Sequence, residues 1–156
     1  PFFRSITPDV PGGNSISWTD LEQRHLKSRL TLIYLWGSWC RSCINELRAL
    51  NRLYEDLHPH GLEILAISAD ESEAETELEK FIRAEKIRFP MLVDSNFVVA
   101  CFRPRGLSRT FFVKGESQSI VSFFDPNSQE AVTRVIGARP WDTETYRHVI
   151  VSMLQN

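Results

Sequence analysis

The stretch Trp36-Gly37-Ser38-Trp39-Cys40-Arg41-Ser42-Cys43 stands between an apolar run, Thr31 to Leu35, and a long amphipathic segment. A strand that hands a closely spaced cysteine pair to the first turn of a helix constrains both fold and chemistry. The helix N-terminus offers partial positive charge and free N–H groups, which stabilise a thiolate at the first cysteine. Cys40 is therefore the candidate nucleophile, and Cys43, one turn deeper, is placed to attack the mixed disulfide that Cys40 would form. Arg41 adds a full positive charge beside the thiolate. A lone C-x-x-C also fits half of a zinc site or an incidental core pair. Zinc needs further ligands, and none of the four histidines has ligand-like spacing with a second cysteine pair.

The chain has 156 residues, 42% of them hydrophobic, enough for one domain with a sizeable core and too few for two ordinary ones. Residues 1–16, rich in Pro, Gly and Ser, read as an irregular lead-in to a single domain over 17–156. A net charge of -2 gives no general reason to expect nucleic acid or an anionic membrane as partner. No apolar run reaches the length of about 18 residues needed to span a bilayer. The abrupt start at Pro1-Phe2-Phe3 fits what remains after a signal or anchor has been cut away.

Ser17 and Asp20 have the spacing of a capping box, which predicts a short helix near 18–28. Thr31 to Trp36 and Leu62 to Ala69 read as strands covered on both faces. Between them Cys43, Leu47, Leu50, Tyr54 and Leu57 recur at helical spacing, and the helix stops at His58-Pro59-His60-Gly61. Ser72 and Glu75 mark a second helix start, with an acidic first half and an apolar face through Leu78 and Ile82. A short strand at Met91 to Val93 and an apolar helix over Phe97 to Phe102 follow, the latter carrying Cys101 as a buried apolar residue. Thr110 to Val113 reads as a strand, Ile120 to Phe124 pairs with Ala131 to Ile136, and Asp142 caps a final helix. Strand, helix, strand, helix with short joins implies an α/β fold around a mainly parallel sheet.

The cysteine motif, together with Phe89-Pro90-Met91-Leu92-Val93-Asp94 and Gly106-Leu107-Ser108-Arg109-Thr110-Phe111-Phe112-Val113, resembles the TlpA/ResA/CcmG-like branch of thioredoxin-fold thiol:disulfide oxidoreductases. The similarity runs from about Asp9 to the C-terminus. It implies a thioredoxin-like central mixed sheet flanked by helices, an elaborated C-terminal hairpin over 115–130, and a place outside the cytoplasm. It implies a protein thiol or disulfide as substrate and a membrane thiol shuttle as reductant. It implies no cofactor beyond the redox-active Cys40–Cys43 pair. By the same resemblance Glu71 stands at the acid that serves Cys43, with Asp70 as its fallback, while Glu46 divides between a family pattern and an ordinary surface role. A proton acceptor for a buried thiol works best in a dry site.

Three prolines that the resemblance leads one to expect are replaced: Arg41-Ser42 stands between the cysteines, Arg48 five residues after Cys43, and Ser108 opposite them. A cis bond before serine costs about 3 kcal/mol relative to trans, far more than before proline. The Leu107–Ser108 bond is therefore expected to be trans or strained, with a reshaped docking loop. Trp39, Arg41, Leu107, Ser108 and Arg109 are the candidate substrate-binding residues. Arg103, Arg105 and Arg109, facing Arg41, form an expected electropositive rim that lowers the Cys40 pKa. Extracytoplasmic thiol:disulfide exchange is the reading that results. A soft-metal module holding Cu(I) between two thiolates, or an adaptor without turnover, is the alternative.

Overall fold

The computed structural model describes residues 2–6, 15–71, 74–94 and 106–156. In chain order the elements are β1 (Phe2–Ser5), β2 (Ser15–Ser17), α1 (Trp18–Arg24), β3 (Leu30–Trp36), α2 (Arg41–Leu57), β4 (Leu62–Ser68), α3 (Glu75–Glu85) and β5 (Met91–Asp94). Then come β6 (Arg109–Lys114), β7 (Ser119–Val121), β8 (Phe123–Asp125), β9 (Glu130–Val132), β10 (Val135–Ile136) and α4 (Glu144–Gln155). One sheet runs β10-β6-β3-β4-β5-β1-β2, with β7 also on β6, and β8 pairs with β9 as a separate hairpin. The β3–β4 and β4–β5 pairs are parallel and β3–β6 is antiparallel, the mixed sheet that the resemblance implied.

Strand β3 lies at the centre, and all seven of its residues are buried. Alternation divides them between two layers. Leu30, Leu32, Tyr34 and Trp36 pack with Leu47, Leu50 and Leu53 of α2, Leu78 and Ile82 of α3, and Ile150 and Leu154 of α4. Ile33 and Leu35 face the other way, onto Leu21 and Leu26. Burial on both faces explains why β3 and β4 read as near-continuous apolar runs.

Local chemistry sets the helix ends. Ser17 and Asp20 form the expected capping box, and α1 ends at Arg24, short of position 28. Helix α2 runs unbroken past Arg48, whose guanidinium makes a bidentate ion pair with Glu85 at 2.8 and 2.9 Å. His58–His60 forms one exposed 3-10 turn, and Gly61, at φ 104°, supplies the left-handed stop that glycine tolerates best.

Several expectations are corrected. The lead-in is irregular only in part, because β1 lies antiparallel on β5 and β2 on β1. The expected pairing of Ile120–Phe124 with Ala131–Ile136 holds at its centre, where Phe123 and Phe124 face Val132 and Ala131, but the two segments are divided into four short strands. Phe123–Asp125 pairs with Glu130–Val132, while Ser119–Val121 and Val135–Ile136 both return to β6. Thr143, not Asp142, is the N-cap of α4; the Asp142 carboxylate instead accepts from Arg52 Nε at 2.6 Å. Helix α3 starts after Ala74 without a side-chain cap. Ser72, the apolar helix over 97–102 and Cys101 lie outside the described residues.

The C-terminal segment is locked by a buried ion pair. Arg139 donates to Asp125 through Nη2 at 3.0 Å and through Nε at 3.2 Å, and the Tyr146 hydroxyl donates to the same carboxylate. Burial opposes ionisation of Asp125, but the bonds from Arg139, Tyr146, Ser128 and Asn127 outweigh it and hold its carboxyl well below the usual range. The stability this gives is present above the unfolded value near 3.9 and is lost as pH falls below it. Asp125→Asn should therefore cost about 3 kcal/mol at neutral pH. It should also flatten the loss of stability below about pH 4, both checked by urea unfolding across a pH series.

Candidate active site

The parallel crossover from β3 to β4 places the N-terminus of α2 at the C-terminal end of the central strands. Cys40 is the N-cap residue, in extended conformation, and its sulfur accepts from the Cys43 amide at 3.3 Å. Its own N–H donates to the Gly37 carbonyl at 3.1 Å, which closes the turn that exposes it. Cys40 is half-buried, whereas Cys43 is fully enclosed, and the two are joined as a disulfide with Cα atoms 5.2 Å apart. The accessible sulfur is thus the one at the helix tip, where peptide N–H groups converge. Ser42 Oγ lies 3.4 Å from it, and Arg41 is exposed on the same turn.

Asp70 fixes this turn to the end of β4. Its carboxylate accepts from the Ser38 amide at 2.9 Å, from the Ser38 hydroxyl, and from the Ser68 hydroxyl at 2.6 Å. The expected fallback acid is therefore a buried clamp on the Gly37–Cys40 turn. Glu71 is exposed and shares with Asp70, Trp39, Gly106 and Leu107 the wall of a cavity of about 470 Å³. That exposure is the opposite of the dry setting expected for an acid serving Cys43. Trp39 is 53% exposed and lies across Gly37, where a Cβ would fall 2.6 Å from the indole. Glycine at this position gives the ring its seat.

The loop before β6 closes the site. The Leu107 carbonyl lies 3.9 Å from Cys40 Sγ. The Leu107–Ser108 peptide bond is cis, correcting the expectation of a trans or strained bond there. Contacts on both sides account for the placement of this segment. The Ser108 hydroxyl donates to Glu46, its carbonyl accepts from the Gly137 amide at 2.7 Å, and Arg109 Nε donates to the Gly106 carbonyl at 3.3 Å. Ser108 is fully buried and Arg109 is 2% exposed, so neither offers its side chain to a substrate. The expected electropositive rim loses Arg109 to the interior, because that side chain braces its own loop; Arg103 and Arg105 lie outside the described residues.

Sequence reasoning undervalued Glu46. It is 2% exposed, so the surface role weighed for it is excluded. Its Oε1 accepts from Tyr34 Oη at 2.9 Å and from Ser108 Oγ. Its Oε2 accepts from the Arg139 amide at 3.1 Å and Trp141 Nε1 at 2.6 Å. Tyr34 Oη also lies 3.2 Å from the Cys43 carbonyl, which links the acid to the cysteine turn. The available signal was position: Glu46 lies between Cys43 and Leu47 on the apolar stripe of α2. Burial pushes its carboxyl up, against the hydrogen bonds from Ser108, Trp141, Tyr34 and Arg139. Among the described residues, no group of three or more His, Cys, Asp or Glu is arranged to hold a metal ion.

The family model for the AhpC/TSA family matches residues 7–120. The chain belongs to the AhpC/TSA family. The thiol-disulfide oxidoreductase ResA of Geobacillus thermodenitrificans is 30% identical over 133 residues, covering 78% of this chain and 74% of that protein. The ResA of Bacillus cereus is 24% identical over 111 residues, and this family member spans only 63% of its length. The fold is that of a secreted thiol-disulfide isomerase from Corynebacterium glutamicum, with TM-score 0.65, 18% identity, and coverage of 98% of this chain and 82% of that one. StoA from Bacillus subtilis aligns with TM-score 0.55 and 20% identity, over 89% of this chain and 90% of its own. Among the described residues, no helix is long and apolar enough to cross a membrane.

The raised Glu46 carboxyl has a signature in stability. The folded chain keeps a proton that the unfolded chain has released above about pH 4.3. Stability from this group therefore falls as pH rises through that window and levels off above the folded value. Glu46→Gln should remove this component, so its stability relative to the unsubstituted protein should be greater at pH 8 than at pH 4.5, as measured by denaturant unfolding.

Proposed function

We propose that this chain is an extracytoplasmic thiol:disulfide oxidoreductase that reduces protein disulfides through Cys40 and Cys43. The observation that carries this reading is the half-buried Cys40 sulfur at the N-cap of α2, paired with an enclosed partner one turn deeper. In the dithiol form, the Cys40 thiolate attacks one sulfur of a substrate disulfide, forming a mixed disulfide and releasing the other substrate sulfur as a thiolate that takes up a proton. Cys43, once deprotonated, attacks the Cys40 sulfur and expels the second substrate thiolate. Two electrons pass to the substrate, and the Cys40–Cys43 disulfide is left behind.

The proton of Cys43 needs a base, and Glu46 supports that role better than Glu71. It follows Cys43 on the same helix, is buried, and is joined to the Cys43 backbone through Tyr34. Substrate docks over Leu107 beside the exposed Trp39, with Arg41 on the near rim. A membrane thiol shuttle returns the disulfide to the dithiol, and no further cofactor takes part. Relatives named as thiol-disulfide oxidoreductases and a fold shared with a secreted isomerase support both the chemistry and the location.

Reduction of insulin by dithiothreitol tests the proposal. The protein should accelerate it, Cys40→Ser should abolish the effect, and Cys43→Ser should accumulate a mixed disulfide visible by mass spectrometry. Alkylation of reduced Cys40 across pH should give an apparent pKa below the free-thiol value of about 8.5. A thiol at or above that value, or no acceleration by the folded protein, would sink the reading.

A further inference from the structure

Ser108 was expected to meet substrate, yet its side chain is sealed between α2 and β6 and bonded to Glu46. Its neighbour Leu107 carries the carbonyl that lies 3.9 Å from Cys40 Sγ. Resting on the exchange chemistry above, the geometry points to Ser108 as a positioning residue: its hydroxyl, held by Glu46, sets where Leu107 stands beside Cys40 and hence how firmly a substrate chain docks.

The hydrogen-bond inventory of Glu46 explains why a hydroxyl serves here. Its Oε2 is filled by the Arg139 and Trp141 N–H groups, which can only donate. Its Oε1 faces two hydroxyls, from Tyr34 and Ser108, and hydroxyls can donate or accept. A proton arriving at Glu46 therefore goes to Oε1. Tyr34 can receive it, because its own O–H can turn to the Cys43 carbonyl at 3.2 Å. Ser108 then keeps donating to the same carboxyl oxygen. The loop stays clamped whether Glu46 is charged or neutral, so proton traffic at Cys43 and docking at Leu107 are borne by different partners of one carboxyl group.

The two duties separate in steady-state insulin reduction. Ser108→Ala should raise KM by about five-fold or more, the scale of one lost hydrogen bond, and by a larger factor than it lowers kcat, since the same hydroxyl is also one of the four donors on Glu46; Ser108→Thr should restore both. Glu46→Gln should do the reverse, lowering kcat and leaving KM near the starting value. Its amide N–H₂ can face the two hydroxyls while its oxygen accepts from the two N–H groups. A folded Ser108→Ala protein with unchanged KM overturns the inference. If that variant does not fold, Glu46→Gln decides alone, and a KM raised by about five-fold or more in it overturns the inference. Exchange of the Gly137 amide, which donates to the Ser108 carbonyl, needs no turnover: it should quicken by about an order of magnitude on losing the hydroxyl bond, and unchanged exchange also refutes the role. A wild-type protein that fails to reduce insulin would refute only the functional reading.

Discussion

A carboxylate enclosed in protein is tolerated only when its oxygens are saturated with donors, and Glu46 meets that condition through four of them. The donors come from β3, from the segment before β6 and from the segment before α4, while the acid belongs to α2. One side chain thereby joins the central strand, the cysteine helix, the loop before β6 and the C-terminal packing. Removing any donor would leave the carboxylate short of a partner in a place that water does not reach, which makes the arrangement mutually dependent. Trp141 illustrates this, since it donates to Glu46 while its ring packs edge-on to Phe112 and Tyr146. Tyr146 in turn reaches Asp125 and, through it, Arg139.

The redox end of the molecule is built on this frame by two further clamps. Asp70 ties the Gly37–Cys40 turn to β4, and Arg109 ties its own loop back on itself. Both are charged residues used internally, while Arg41, Trp39 and Glu71 remain at the surface. The division follows from geometry, since the turn and the loop are irregular backbone whose polar groups need partners that no neighbouring strand supplies.

How much of this the sequence disclosed depends on how local each determinant is. Strands β3 and β4 and helix α2 were legible because an uninterrupted apolar run and a helical stripe each report their own burial. The capping box at Ser17 is equally local. By contrast, the partners of Glu46 lie 12, 62, 93 and 95 residues away in sequence, and nothing near position 46 announces them except its place on the apolar face. Arg109 was misread for the same reason: its burial is decided by strands on either side of β6. The strands after residue 115 are two or three residues long, too short for alternation to specify their partners.

The pairing of β1 with β5 has a consequence of its own. A protein that recognises others by β-augmentation must leave the flank of a sheet open to an incoming chain. Here Phe3, Arg4 and Ser5 already occupy the register opposite Asp94, Val93 and Leu92, and the outermost ribbon beyond them, Ser15–Ser17, is only three residues long. That flank of β5 is taken up by the chain itself, and the edge left beyond it is too short to template a long incoming strand, which blunts both strand donation from another protein and fibrillar stacking of copies.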